Sequence, residues 1–355
     1  MHPVVISCLG ILVSFLQIDG FKACPRRCSC YDSSHLVDCK GRSLSHIPGD
    51  IPHSTWMLDF GANSLREVPS SAFSGHWGLR ILLLPHNRIE SIHQEAFESL
   101  SFLEMLDLNA NHIQHLPGDF SDSLQRLLEL RLSNNWLEYI HYNSMRAFEN
   151  LEKLDLSGNR IHSMATGVFR GLYKLSHLLL KNNRLHVIEG GFFFMLHSLE
   201  ALHLENNNIT SIEGEAFASL RSLSLLCLNG NHLKHIEFKT FLNIQTQGTH
   251  LQLADNRWVC DCDLQREFGK ISSIRHLRVD DYGNISCSEP GQLRGDLLVD
   301  VDSQLCIAET ATVLVITGTV LVTVIAAIVM AERNRKKNSN KTWNDSEGPL
   351  DSQDK

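Results

Sequence analysis

The chain has 355 residues, of which 43% are apolar and 20% charged, and its formal net charge is −8. That charge supplies no basic footprint for nucleic acid and is compatible with an ordinary, mildly acidic extracellular surface. Length alone fits two domains, but the spacing of one residue type replaces that estimate with a repeat.

In chain order, Val4 to Ile18 form a short apolar run that ends at Asp19 and Gly20. This is the pattern of a signal-peptide core, with cleavage near Gly20, so residues 1–20 are expected to be removed. Fifteen residues broken by Ser7, Ser14 and Gln17 are short for a membrane span. Cys24, Cys28, Cys30 and Cys39 follow within residues 21–53, and Cys260, Cys262, Cys287 and Cys306 fall within residues 257–306. In an exported chain each group of four reads as a disulfide framework capping one edge, with three pairings open to each. Once Cys8 leaves with the leader, Cys227 is an odd thiol.

Between the two cysteine groups, over residues 54–256, runs a column of asparagines: Asn63, Asn87, Asn111, Asn135, Asn159, Asn183, Asn207 and Asn231, each 24 residues after the last, closed by Asn256 one residue late. Every member has Leu five residues before it and Leu or Phe three before it, so each unit reads L-x-L-x-x-N. A fixed period of this length predicts eight or nine stacked units of a solenoid that buries one continuous core. Each unit opens on a short strand whose inward leucines, such as Leu82 and Leu84, alternate with outward residues. The carboxamide that ends the strand offers donors and an acceptor, so it can satisfy backbone groups where the chain turns away from the sheet. Phe73, Phe97, Phe169, Phe193, Phe217 and Phe241, ten residues past the asparagine, are expected to fill the convex side. Phe120 at nine past and Met145 at ten past depart from this, which predicts irregular convex loops in the third and fourth repeats and undisturbed concave strands.

From Thr310 to Ala331 there are 22 uncharged residues, enough at ~1.5 Å rise to cross a ~30 Å hydrocarbon core as a transmembrane helix. Arg333, Arg335, Lys336 and Lys337 follow at once, which places residues 332–355 in the cytoplasm and the repeats outside. Thr319, Thr323, Ala327 and Ala331 recur every four residues and give that helix a small-residue face on which a lateral helix partner could pack.

The opening Cys24-Pro25-Arg26-Arg27-Cys28-Ser29-Cys30, the 24-residue repeats, and the closing Asn256-Arg257-Trp258-Val259-Cys260-Asp261-Cys262 with two later cysteines resemble the extracellular leucine-rich repeat family of Slit, platelet glycoprotein and Nogo-receptor type. Arg257 stands where that family usually has Pro. The resemblance implies an α/β solenoid, a leucine-rich repeat horseshoe with a parallel concave β-sheet, disulfide-stapled caps and one transmembrane helix. It also implies the bonds Cys24–Cys30, Cys28–Cys39, Cys260–Cys287 and Cys262–Cys306. In layout, a capped horseshoe, one helix and a short basic-flanked tail, the chain is similar to the gamma auxiliary subunits of large-conductance calcium-activated potassium channels and to leucine-rich-repeat-and-transmembrane proteins. The channel subunits usually carry about six repeats, fewer than here.

Residues six, four and two before each asparagine project onto the concave sheet. The expected partner face is Met57, Ile81, Leu83 and Met105, an apolar patch that gives way to Glu129, Arg131, Lys153 and Asp155 and then to mixed residues including His177, Leu179, Lys181, His203 and Glu205. His203 and Cys227 share an outward position in adjacent repeats; the pair is read as incidental rather than as a zinc site or an activated thiol, leaving the thiol available for an intermolecular disulfide, and no metal or cofactor is expected. His112, His115, His162, His186, His232 and His235 fall on connecting turns and are expected to be solvated. The sequons at Asn208 and Asn284 are expected to carry glycan, and those at Asn340 and Asn344, on the cytoplasmic side, to stay bare. No catalytic motif stands out, so an enzyme is not expected. Two readings remain: a type I cell-surface protein that binds an extracellular or membrane protein, and an auxiliary subunit acting on a channel or receptor through its helix and juxtamembrane basic segment.

Overall fold

The computed structural model describes residues 24–244, 246, 248–302 and 304–344, so the expected leader, Cys8 and the end of the tail lie outside the described residues. The chain divides into two compact units, one ending at Val299 and the other beginning at Asp300.

The first unit is a solenoid built on a 12-stranded sheet. Its strands run from Met57–Asp59 through Ile81–Leu83, Met105–Asp107, Glu129–Arg131, Lys153–Asp155, His177–Leu179, Ala201–His203 and Leu225–Cys227 to Thr249–Gln252. All of these pair in parallel and in one register, so Leu58, Leu82, Leu106 and their successors lie side by side. Those leucines have 0% exposure, and burying each contributes ~1.5–3 kcal/mol. The lateness of Asn256 does not disturb the register, because Leu251 still pairs with Leu226. The extra residue is taken up between Phe241 and Leu251, before the strand begins.

The asparagines form a continuous hydrogen-bonded ladder. Asn159 Oδ1 accepts the amide of Leu137 in the preceding repeat at 3.1 Å, and its Nδ2 donates to the carbonyls of Leu132 and Leu156 at 3.0 and 2.9 Å. The pattern repeats at every rung and ends with Asn256, which accepts from Leu233 and donates to Leu228 and Leu253. At the other end Asn63 accepts from Arg42 and Leu44 and donates to Cys39, binding the first repeat to the cap. The residue before each rung adopts a left-handed backbone, from Ala62 (φ 55°) to Asp255 (φ 54°). Asn, Asp or Gly occupies most of these positions, while Ala62, His86 and Ala110 hold it in spite of the Cβ clash that disfavours this conformation.

Phenylalanines line the convex side of the core. Phe73 stacks on Phe97, and Phe193 on Phe217 on Phe241, with centroids 6.1 Å apart. In the third and fourth repeats the stack turns edge-on: Phe120 meets Phe97 at 84° and Phe148 at 79°. Met145 and Phe148 are both buried there, and a 3-10 turn covers Tyr142–Ser144. The irregularity stays on the convex side, since the strands of these repeats keep their register.

Both ends of the sheet extend into the cysteine-rich segments. An antiparallel hairpin, Ser29–Tyr31 with Leu36–Asp38, opens the sheet and pairs in parallel with Met57–Asp59; Leu277–Val279 closes it beside Thr249–Gln252. Cys24 is bonded to Cys30, Cys28 to Cys39 and Cys260 to Cys287, and Cys262 and Cys306 are also disulfide-bonded. At the C-terminal end an amphipathic helix, Cys262–Ser273, is N-capped by Asp261, whose carboxylate accepts from Leu264 N at 2.8 Å. It buries Leu264, Phe268 and Ile271, with Phe268 edge-on to the fully buried Trp258 at 5.6 Å. The Asp281 carboxylate accepts from the amides of Leu253 and Ala254, donors left over where the repeats stop.

The second unit contains the helix Gln304–Asn344. Within it Val313–Lys336 is long and apolar enough to cross a membrane, and its apolar side chains are exposed.

Replacing Asn159 with Ala is expected to leave the Leu137 amide without its partner, while the Leu132 and Leu156 carbonyls keep the carboxamides of Asn135 and Asn183, and to cost roughly 1–3 kcal/mol. Asn159→Asp, which keeps an acceptor but turns a charge toward two carbonyls, is expected to be at least as damaging. Chemical denaturation of the two variants beside the parent checks both expectations.

Candidate partner-binding face

The register sorts the outward side chains into rows. In the first, six residues before each asparagine, Met57 lies beside Ile81, Ile81 beside Met105 and Met105 beside Glu129, followed by Lys153 and His177. In the second, four residues before it, Asp59, Leu83, Asp107, Arg131, Asp155, Leu179, His203 and Cys227 follow one another. Met57, Ile81 and Met105 therefore form a contiguous half-buried apolar row, as period-two alternation requires of side chains opposite a buried leucine. Leu83 is half-buried too, but Asp59 and Asp107 stand on either side of it. Those two carboxylates are absent from the expected partner face, although the same counting rule reaches them.

The apolar row ends at a charged network. Glu129 Oε1 accepts from Arg131 Nε at 2.8 Å and lies 3.3 Å from Lys153 Nζ, while Arg131 also approaches Asp107 at 3.7 Å. Asp107 is 7% exposed, and this burial pushes its carboxyl above the ordinary value despite the Asn109 amide and Arg131, which pull the other way. Burial also disfavours ionised Glu129, but the hydrogen bond and charge of Arg131, with Lys153, outweigh it and hold that carboxyl below its ordinary value. Asp155 is outside this network; its Oδ1 accepts from the Ser157 amide at 3.0 Å.

Toward the C-terminal end His177 is exposed and Leu179 half-buried. His203 Nδ1 meets Glu205 Oε1 at 3.1 Å, and Cys227 pairs with His203 in the register. The Cys227 thiol is free but only 2% exposed. Burial, reinforced by the Glu205, Asp281 and Asp280 carboxylates, pushes its pKa up to about 12. The expected availability for an intermolecular disulfide is therefore corrected: a buried, protonated thiol is not presented to the cysteine of a second chain and is a poor nucleophile toward it.

The histidines on the connecting turns divide as well. His115, His162, His186 and His235 are exposed. His112 instead stacks on Trp136 at 4.3 Å, with the Arg160 guanidinium over the Trp136 ring at 5.0 Å, and His232 Nε2 lies 2.9 Å from the Arg257 guanidinium. Partial burial and then the Arg257 charge lower the His232 pKa.

Overlapping matches to the leucine-rich repeat family model cover residues 57–113, 77–137, 103–161, 149–207 and 174–233. The chain is a leucine-rich repeat protein. Among its relatives, leucine-rich repeat-containing protein 3 of Danio rerio is 36% identical over 95 residues, which are 26% of this chain and 35% of that one. The alignment thus spans about a third of that relative. Among solved structures, human trophoblast glycoprotein, also called Wnt-activated inhibitory factor 1, superposes with a TM-score of 0.60 at 23% identity, over 81% of this chain and 99% of that one. A chain from an octameric complex of Latrophilin 3, Unc5D and the leucine-rich repeats of FLRT2 gives 0.57 at 23%, over 79% and 98%. At that identity the likeness concerns the fold.

Glu129→Gln is expected to lower stability near neutral pH by about 1 kcal/mol or less, the scale of a partly solvated ion pair. Because the folded-state pKa of Glu129 is depressed, its contribution is present above the unfolded carboxylate pKa and disappears as pH falls through the folded value. Denaturation curves of parent and variant should therefore separate at pH 7 and converge in acid.

Proposed function

We propose that this chain is a type I single-pass cell-surface protein whose concave face binds a protein partner. The observation that carries the reading is the contiguous apolar row Met57, Ile81 and Met105, with Leu83 beside it, bordered by the Glu129–Arg131–Lys153 network. An apolar centre beside a rim of fixed charges has the composition of a recognition surface, in which anchors supply affinity and charges supply orientation and encounter rate. Disulfide-bonded cysteines at both ends of the solenoid support an oxidising compartment. The apolar helix supports membrane anchoring, and the basic residues Arg333, Arg335 and Lys336 at its end favour an extracellular ectodomain and a short cytoplasmic tail. Asn208 and Asn284 are exposed and open to glycosylation.

A second reading, an auxiliary subunit that acts on a channel or receptor in the membrane, draws on the helix itself. In the sequence only three residues, 307–309, separate Cys306 from the uncharged run 310–331. The Thr319 and Thr323 hydroxyls donate to carbonyls three residues back, which satisfies them within the helix and leaves a small-residue face for packing.

Ile81→Asp with Leu83→Asp is expected to weaken partner capture by the soluble ectodomain by roughly thirtyfold or more per anchor removed, the scale of about 2 kcal/mol hot-spot residues. Lys153→Glu is expected to change mainly the association rate and its salt dependence. Unchanged affinity in the double variant, measured by surface plasmon resonance on a crosslink-identified partner, would reject the concave face. Exchange of residues 307–337 for a neutral anchor should leave binding intact; loss of activity on that exchange, with the tethered ectodomain inert, would favour the auxiliary reading.

A further inference from the structure

We infer that His203, Glu205 and Cys227 form a zinc-binding site on the concave face of the seventh and eighth repeats. Among the described residues these three place one ligand atom each, from an imidazole, a carboxylate and a thiol, within 4.8 Å of one another. Tetrahedral zinc with bonds of about 2.0 Å to N and O and about 2.3 Å to S holds its ligands roughly 3.3–3.8 Å apart, so modest rotamer changes close the set. The donor types select the ion: thiolate and imidazole together favour zinc over calcium or magnesium, which take oxygen ligands.

Buried acceptors without partners point to the same place. Glu205 Oε1 faces His203, whereas Oε2 is buried and has no hydrogen-bond partner among the described residues. Asn229, which holds the position of Glu205 one repeat later, also has a buried Oδ1 without a partner among the described residues. Protein interiors rarely leave such atoms unpaired, and a cation satisfies acceptors that no neighbouring donor reaches. The charges also balance: one thiolate and one carboxylate neutralise Zn²⁺, with the imidazole neutral. On binding, the Cys227 S–H bond breaks, a sulfur–zinc bond forms and the proton passes to solvent. His203 and Glu205 remain partly exposed, so the fourth coordination position is open to water or to a partner's side chain.

The test uses the full-length chain in detergent with Co²⁺ as spectroscopic probe and Zn²⁺ as competitor. The expected result is one Co²⁺ per chain with a thiolate-to-cobalt charge-transfer band and tetrahedral d–d bands, all displaced by Zn²⁺. Cys227→Ser should abolish the charge-transfer band. Glu205→Gln and His203→Gln should retain it with affinity lowered more than the ~10–100-fold typical of losing a group outside the ligand shell. Absence of the band from the parent protein at saturating Co²⁺ overturns the site without any variant, so a folding defect in Cys227→Ser cannot shelter it. A band that survives Cys227→Ser, or an affinity that both other variants leave unchanged, overturns it equally.

Discussion

The hydrogen-bonded ladder of asparagine side chains is the constraint on which the rest of the solenoid depends. A strand three residues long cannot turn away from its sheet without exposing amides and carbonyls, and the turn here lies inside the core. Each carboxamide accepts an amide of one repeat and donates to carbonyls of two, so every rung joins neighbours. Because the Nδ2 donors and the Oδ1 acceptor are engaged at every rung, the spacing between repeats is held at one value, and the leucines below and the concave rows above inherit that register. The ladder also reaches beyond the repeats, through Asn63 to Cys39, Arg42 and Leu44, and it is at these ends that the sheet would otherwise present an unpaired edge.

A fixed backbone of this kind separates structure from recognition. The inward column can tolerate little, while the outward rows vary freely: apolar at Met57, Ile81 and Met105, ionic at Glu129, Arg131 and Lys153, and ligating in character at His203, Glu205 and Cys227. Three chemically different surfaces therefore stand in sequence along one sheet. Neighbouring positions in a row come from residues 24 apart, so each surface is assembled across repeats and belongs to no single one. Where the convex packing turns edge-on, at Phe120 and Phe148, the concave strands keep their register because the ladder lies between the two sides.

The repeat, its inward leucines, the convex phenylalanines and the place of their irregularity were legible because each is a periodic requirement of the backbone. Counting back from the asparagines also reached the outward rows. Other features lacked a local signal. The left-handed residue before each rung is Asn, Asp or Gly in most repeats, but Ala62, His86 and Ala110 carry no trace of it. The stacking of His112 on Trp136 joins residues whose proximity follows from the fold and whose orientation follows from side-chain packing. The cap strands Leu36–Asp38 and Leu277–Val279 are too short and too irregularly spaced to announce that they continue the sheet.

The sequence by itself determined the architecture, since hydrogen-bond satisfaction at a buried turn and burial of leucine at period two admit few alternatives once the 24-residue spacing is seen. It also determined which side chains line up on the concave face. Tertiary structure decided how those side chains behave. Burial withdrew Cys227 from solvent and raised its pKa, raised the Asp107 carboxyl beside Leu83, and left Glu205 with an oxygen that no group among the described residues satisfies. Such properties depend on the depth, distance and field of every neighbour at once, and periodicity carries none of these.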